Sequence, residues 1–161
     1  MSHPADFQYR QAYEADIAAL LQFVPATLQG SWSVDAMQQL LRANRVRVLA
    51  AGDTGEVVGF AEFSLVLDES ELLSLVVHPL FQQQGLGKLL LSEVLKEAAA
   101  LGAMKIFLEV RESNTVARNL YEHRGFVQNG IRSGYYSPTG AGMPREDACL
   151  YSLGLESSSR D

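Results

Sequence analysis

Gln82-Gln83-Gln84-Gly85-Leu86-Gly87-Lys88 decides how this chain is read, because it lies where an apolar run over 72–79 stops and a helical pattern starts. A strand there would feed a glycine turn into a helix. Glycines let a bulky anion approach the backbone, and the free N–H groups of the first helical turn, at the positive end of the helix dipole, point toward it. The stretch therefore predicts an anion cradle, with a diphosphate as the expected group. Ordinary turn requirements produce the same glycine pair, so the motif alone leaves both readings open. Two other cradles are excluded by spacing. A Walker loop needs a further glycine upstream, where Phe81 or Gln82 stands, and a Ser or Thr after the lysine, where Leu89 stands. A dinucleotide fingerprint needs a third glycine at the position of Leu90.

Upstream, residues 7–12 read as a strand, and residues 14–23 carry Ile17, Ala18, Leu20, Leu21 and Phe23 on a helical face ended by Pro25. A loop with Gly30 and Trp32 leads to Ser33, an N-cap candidate, and a second helix with Val34, Met37, Leu40 and Leu41 on one side. Strands over 46–51 and 57–67 flank the hairpin turn Gly52-Asp53-Thr54-Gly55, and a third antiparallel strand over 71–78 enters the glycine turn. Beyond the turn, Leu86, Leu90, Val94 and Ala98, with Leu91, Leu95 and Leu101 beside them, predict a long helix closed by Gly102. A strand over 104–110 follows, then a helix capped by Ser113 or Asn114 that runs to Arg124 and stops at Gly125. Strands over 126–136 and 148–153 finish the chain. The order βααβββαβαββ predicts an α/β fold with a mixed, mostly antiparallel sheet flanked by helices. No internal repeat or long linker appears, so residues 1–161 read as a single domain, with 1–5 and 155–161 as frayed tails.

With 161 residues, 47% of them hydrophobic, the chain can bury a sizeable core, while its net charge of -6 argues against broad nucleic-acid or acidic-membrane binding. An acidic surface suits a cationic partner instead. The one cysteine, Cys149, rules out an intrachain disulfide, and its neighbours Ala148, Leu150 and Tyr151 mark a buried strand position rather than a reactive thiol. The amino terminus has no apolar signal core and no apolar run reaches the ~20 residues of a membrane span. A soluble, cytoplasmic protein is the expectation. His3 and His123 have no carboxylates at metal-binding spacing, so no metal is expected.

In this order, several segments resemble the GNAT family of N-acetyltransferases, whose pyrophosphate loop reads Gln/Arg-x-x-Gly-x-Gly/Ala and here is Gln82-x-x-Gly85-x-Gly87. The likeness continues through Leu108-Glu109-Val110-Arg111, Ser113-Asn114, Ala117-Arg118, Leu120-Tyr121-Glu122 and Gly125-Phe126. Within the family, the chain is most similar to the bacterial enzymes that acetylate the N-terminal alanine of a ribosomal protein. The shared segments are Val77-x-Pro79-x-Phe81-Gln82, the Leu-Glu-Val-Arg run, and Ile131-Arg132-x-x-Tyr135-Tyr136 leading to Arg145-Glu146-Asp147-Ala148. Ser74 departs from their usual Asn, the loop over 137–144 is a few residues longer, and Trp32-Ser33 matches them without its preceding residues.

The resemblance implies acetyl-CoA as cosubstrate and assigns roles to particular residues. Glu109 would be the general base that takes a proton from the amine; the alternative is a solvent-facing or salt-bridged strand glutamate. Its place beside Phe107 and Leu108 predicts a partly desolvated carboxylate. Tyr121 would protonate the departing thiolate; it also reads as a packing tyrosine sharing a face with Val116 and Leu120. Leu75, Val76 and Val77 would line the acetyl and pantetheine arm and supply N–H groups to the developing oxyanion. Gln82, Gln83, Gln84, Gly85, Leu86, Gly87 and Lys88 would hold the pyrophosphate. Asn114 would bond the cofactor near its sulfur, or be no more than a helix cap. Trp32, Tyr135 and Tyr136 would wall a peptide channel, or finish a core. His78, before a proline at a strand end, reads as a turn residue, and Glu146 and Asp147 either attract a basic segment or form a solvated charge pair. The implied acceptor is the N-terminal alanine of a ribosomal protein. A small-amine or lysine acetyltransferase and a non-catalytic acyl-CoA-binding domain are the alternatives.

Overall fold

The computed structural model describes residues 6–22, 33–138 and 140–156. The expected element order is observed. It opens with β1 (Phe7–Gln11), α1 (Ile17–Gln22), α2 (Val34–Arg42), β2 (Val46–Ala51), β3 (Val57–Val66) and β4 (Glu69–Val77). It continues with α3 (Leu86–Ala100), β5 (Lys105–Arg111), α4 (Thr115–Arg124), β6 (Val127–Tyr136) and β7 (Glu146–Gly154). The strands form a seven-stranded, mostly antiparallel sheet in the order β1-β2-β3-β4-β5-β7-β6. By contact density the chain divides into two compact units, Met1–Ser64 with Ser74–Val94, and Leu65–Leu73 with Leu95–Asp161.

In the first unit, β2 pairs antiparallel with β1 through Phe7↔Ala51 and with β3 through Val46↔Glu62. The apolar periodicity buries Ile17, Leu20 and Met37 against Val46, Val48 and Phe60. Ser33 caps α2 as expected, its Oγ accepting from Ala36 N at 3.1 Å. Val34 does not join the apolar side of α2: it is half exposed, because the first turn extends beyond the packed cluster of Met37, Leu40 and Leu41. The helix expected over 14–23 is likewise broken at its start. Glu14–Asp16 is a 3-10 turn, and the Asp16 carboxylate, clamped by Arg10 at 2.8 and 3.0 Å, reaches back to the Tyr13 N–H at 2.7 Å. Phe23, Pro25 and Trp32 lie outside the described residues.

The face of α3 is buried through Leu86, Leu90, Leu91, Val94, Leu95 and Ala98 as its periodicity predicts. Leu101 is exposed, because the helix has ended at Ala100 and Gly102 turns away with φ 100°.

In the second unit, Glu69–Leu72 of β4 runs parallel to Lys105–Leu108 of β5, a pairing that requires a crossover and receives it from α3. β5 then pairs antiparallel with β7, and β7 with β6. Asn114 caps α4, and Gly125 closes it in the left-handed region at φ 104°, where a side chain would be strained. Cys149 is buried, as its neighbours indicated. Leu155, assigned to a tail by its sequence, donates its N–H to Met104 O at 2.8 Å; residues 157–161 lie outside the described residues.

One close approach gives the first unit a measurable tolerance. A Cβ at Gly59 would lie 3.0 Å from Val76 O and 3.5 Å from Leu90 Cδ2, so the end of β4 and the helix after it close on this glycine. Gly59→Ala is expected to cost about 1–3 kcal/mol by overpacking, seen as a lowered midpoint in urea denaturation.

Candidate active site

The second unit gathers charged and aromatic side chains on one face of its strands. Residues directly opposite in a ladder share a face, and side chains alternate along each strand. Glu109↔Leu150, Arg111↔Ala148, Gly130↔Leu150 and Arg132↔Ala148 therefore set Glu109, Arg111 and Arg132 on the same side. Between Arg132↔Ala148 and Tyr136↔Glu146 the register slips by two residues, an even number, so Tyr136 and Glu146 return to that side.

Side-chain contacts follow this register. Arg132 Nη1 lies 3.4 Å from Glu109 Oε1, with the two side chains 54% and 23% exposed. The Arg132 guanidinium also stands over the Tyr135 ring at 5.1 Å, and Tyr135 meets Tyr136 edge to face at 5.0 Å. Arg111 stands over the Tyr136 ring at 4.5 Å and donates from Nη1 to Glu146 Oε2 and to Ser137 O, both at 3.2 Å. Burial, and after it the negative charge of Glu109, push the Tyr136 phenol up to about 12. Glu109 is thus partly desolvated and also salt-bridged, so both features weighed from the sequence are present together.

Tyr121 is buried on α4 against Phe126, at 5.5 Å between ring centroids, and Tyr151, at 6.5 Å. The apolar face expected from Val116 is not formed: Val116 is exposed, and the packing comes from residues that follow the helix or lie on β7. Burial raises the Tyr121 phenol to about 12, with a further push from Tyr136. It therefore stays protonated at neutral pH and can donate. The helix carrying it is anchored through Tyr151, whose hydroxyl accepts from Arg118 Nε at 3.0 Å and donates to Glu122 Oε1 at 2.7 Å.

Glu146 and Asp147 are each engaged within the fold rather than forming a solvated charge pair. Glu146 Oε1 accepts the Ser113 N–H at 2.7 Å, at the entrance to α4, while its other oxygen holds Arg111. Asp147 Oδ1 accepts the Gly134 N–H at 2.8 Å. Arg145 completes the clamp, donating to Gly134 O at 2.6 Å and Tyr135 O at 3.1 Å. Gly134 has φ 59°, a conformation glycine adopts without strain, and the side chains of Arg145 and Asp147 bond to the backbone where the register slip interrupts the ladder.

The segment expected to form a cradle, residues 82–88, lies in the first unit. Gln83 and Gly85 both take left-handed backbone, at φ 62° and 80°, and no atom lies within 4 Å of a Cβ built at Gly85. Leu89 N donates to Gly85 O at 3.1 Å, which leaves the Leu86, Gly87 and Lys88 amides in the first turn, where no acidic residue stands. Gln82 serves the loop itself, its Nε2 donating to Val77 O at 3.0 Å. Leu75, Val76 and Val77 are half-buried, with Val76 packed on the core. His78 is the turn residue its position suggested, Nδ1 accepting from Leu80 N at 3.1 Å.

Asn114, in the second unit, is a helix cap, its Oδ1 accepting from Ala117 N at 3.2 Å. Arg111 and Arg132 are the residues of this face that sequence reasoning left without a role. Alternation along 109–111 was a signal for the first, whereas Arg132 meets Glu109 only across β7.

The model of the acetyltransferase (GNAT) family matches residues 15–126. The ribosomal protein bS18-alanine N-acetyltransferase of Haemophilus ducreyi is 42% identical over 100 residues, 62% of this chain and 67% of that protein. The crystal structure of the ribosomal-protein-S18-alanine N-acetyltransferase of Escherichia coli superposes with a TM-score of 0.79 at 30% identity, covering 96% of this chain and 97% of that one. YncA of Salmonella typhimurium, solved with its cofactor acetyl-CoA, shares the fold at TM-score 0.79 and 24% identity, covering 96% of this chain and 97% of that one.

The wiring of Glu146 sets a pH dependence. The Ser113 hydroxyl and amide, then Arg111, hold its carboxyl below its ordinary value of 4.5. A depressed value stabilises the fold above the ordinary range, and that stabilisation is lost as pH falls through the folded value. The stability difference between the parent and Glu146→Gln is expected to be constant above about pH 5 and to shrink below it, measured by denaturation midpoints across pH.

Proposed function

Because the chain belongs to the acetyltransferase (GNAT) family, we propose that it transfers the acetyl group of acetyl-CoA to the N-terminal α-amine of a protein, specifically an alanine-first ribosomal protein. The observation that carries the reading is that one unit holds both a carboxylate able to take a proton and a phenol able to give one. Glu109 is a carboxylate on the sheet face, and the Tyr121 phenol is held protonated by burial.

An α-ammonium has a pKa of about 7.7–8.0, so a neighbouring carboxylate, directly or through a water, increases the nucleophilic fraction. Glu109 accepts that proton. Bound acetyl-CoA supplies the activated acetyl thioester, whose carbonyl carbon the free amine attacks. Negative charge developing on the carbonyl oxygen is met by backbone N–H groups of Leu75, Val76 and Val77. The Tyr121 hydroxyl delivers the proton that the sulfur needs as the C–S bond breaks. The cradle from Gln82 to Lys88 fits a diphosphate: its backbone is left-handed at Gly85, its first-turn amides precede the first helical hydrogen bond, and no acidic residue stands in that turn. Asn114 keeps its amide NH₂ for the cofactor while its oxygen caps α4.

For the acceptor, support comes from the two relatives whose activity is on a ribosomal-protein alanine and from the net charge of -6, which suits the basic segments of ribosomal proteins. Tyr135 and Tyr136, placed beside Glu109 by the clamped bulge, would wall the peptide. Acetyl transfer to an alanine-first ribosomal peptide should exceed transfer to a panel of small amines and lysine; no turnover with any N-terminal peptide overturns the acceptor assignment. Glu109→Gln and Tyr121→Phe should each lower kcat by about 10²–10⁴-fold with little change in acetyl-CoA affinity. Cofactor binding without any turnover in the parent protein would instead identify an acyl-CoA-binding domain.

A further inference from the structure

We propose that Arg132 is a resident counter-cation for Glu109, displaced by the substrate ammonium, so that it sets the affinity for the amine without joining the proton transfer. The inference rests on the reading of Glu109 as the base. Its geometry is that of an exchangeable partner. The Nη1 to Oε1 contact is single and long, 3.4 Å, and the Arg132 side chain is 54% exposed. Arg111, on the same face, shows what a fixed arginine looks like: it is 22% exposed, donates to two oxygens, and is stacked at 4.5 Å on Tyr136.

Arg132 also has somewhere to go. Its guanidinium already stands 5.1 Å from the centre of the Tyr135 ring, and Tyr135 is itself half exposed. That cation–π contact does not depend on Glu109, so the head group can leave the carboxylate and keep an aromatic partner. An incoming ammonium carries the same charge as the group it replaces. The carboxylate therefore trades one cation for another and is not left bare beside the Tyr136 phenol, which its charge disfavours ionising. The cost of the exchange is the lost pair, and it weakens amine binding by that amount.

The test measures peptide affinity in the CoA-loaded protein by calorimetry, alongside KM at saturating acetyl-CoA, using an alanine-first peptide. Arg132→Gln is expected to lower the peptide Kd and KM by about two- to fivefold, the range of a part-exposed ion pair. Arg132→Met, which keeps the apolar stem on Tyr135, should do the same, so a folding defect in one neutral variant leaves the other to decide. Arg132→Lys, which keeps the charge, should stay near the parent value. In a Glu109→Gln background the gain from Arg132→Gln should vanish. A Kd that rises on neutralisation, marking Arg132 as a peptide ligand, or one that does not change, overturns the inference. A Glu109→Gln variant with undiminished kcat overturns the base assignment itself, whereas a slow Glu109→Gln with unchanged Kd in Arg132→Gln overturns only the exchange.

Discussion

The antiparallel ladder that holds β7 between β5 and β6 is the constraint on which the chemical half of this protein depends. Glu109, Arg111, Arg132, Tyr136 and Glu146 come from three strands, and their shared face is a consequence of register alone. A slip of one residue in β7 pairing would send its side chains to the opposite face. The β6–β7 pairing shifts by one residue between Gln128 and Gly130, before these side chains, and by two between Arg132 and Tyr136, which keeps their face. Ala148 is the small, fully buried residue opposite both Arg111 and Arg132, and its size leaves room for long side chains to meet over β7.

On that face the charges are arranged as a division of labour. Arg111 and Glu146 are committed to structure, joining β5 and β7 to the start of α4 at Ser113. Arg132 and Glu109 are less tightly held, and the charge of Glu109 acts on the Tyr136 phenol, which burial also keeps protonated. Burial and the charge of Glu109 together push the Tyr136 phenol up, so it stays protonated beside the carboxylate. The clamp of Arg145 and Asp147 on the Gly134 bulge serves the same end, since it fixes the backbone from which Tyr135 and Tyr136 project.

The cradle in the first unit obeys a different kind of physics. Its geometry comes from backbone amides at a helix start and from left-handed residues before it, all within a few positions of one another. Gln82 closes this loop onto the strand end, so even the polar side chain at the head of the motif serves local geometry.

The difference between local and long-range constraints also explains how far the order of residues alone could be read. The elements, the burial of α3 through Leu90 and Val94, the caps at Ser33, Asn114 and Gly125, and the turn at His78 were all legible, because propensity, periodicity and capping act within a few residues. So were the family resemblance and the candidate base and acid, carried by motifs contiguous in the chain. The exposure of Val34, Leu101 and Val116 was not, since it depends on where a packed cluster or a helix ends. Nor were the pairing of Arg132 with Glu109 and the engagement of Glu146 and Asp147. Those contacts cross from one strand to another, and they arise from a register and a bulge that only the folded sheet sets.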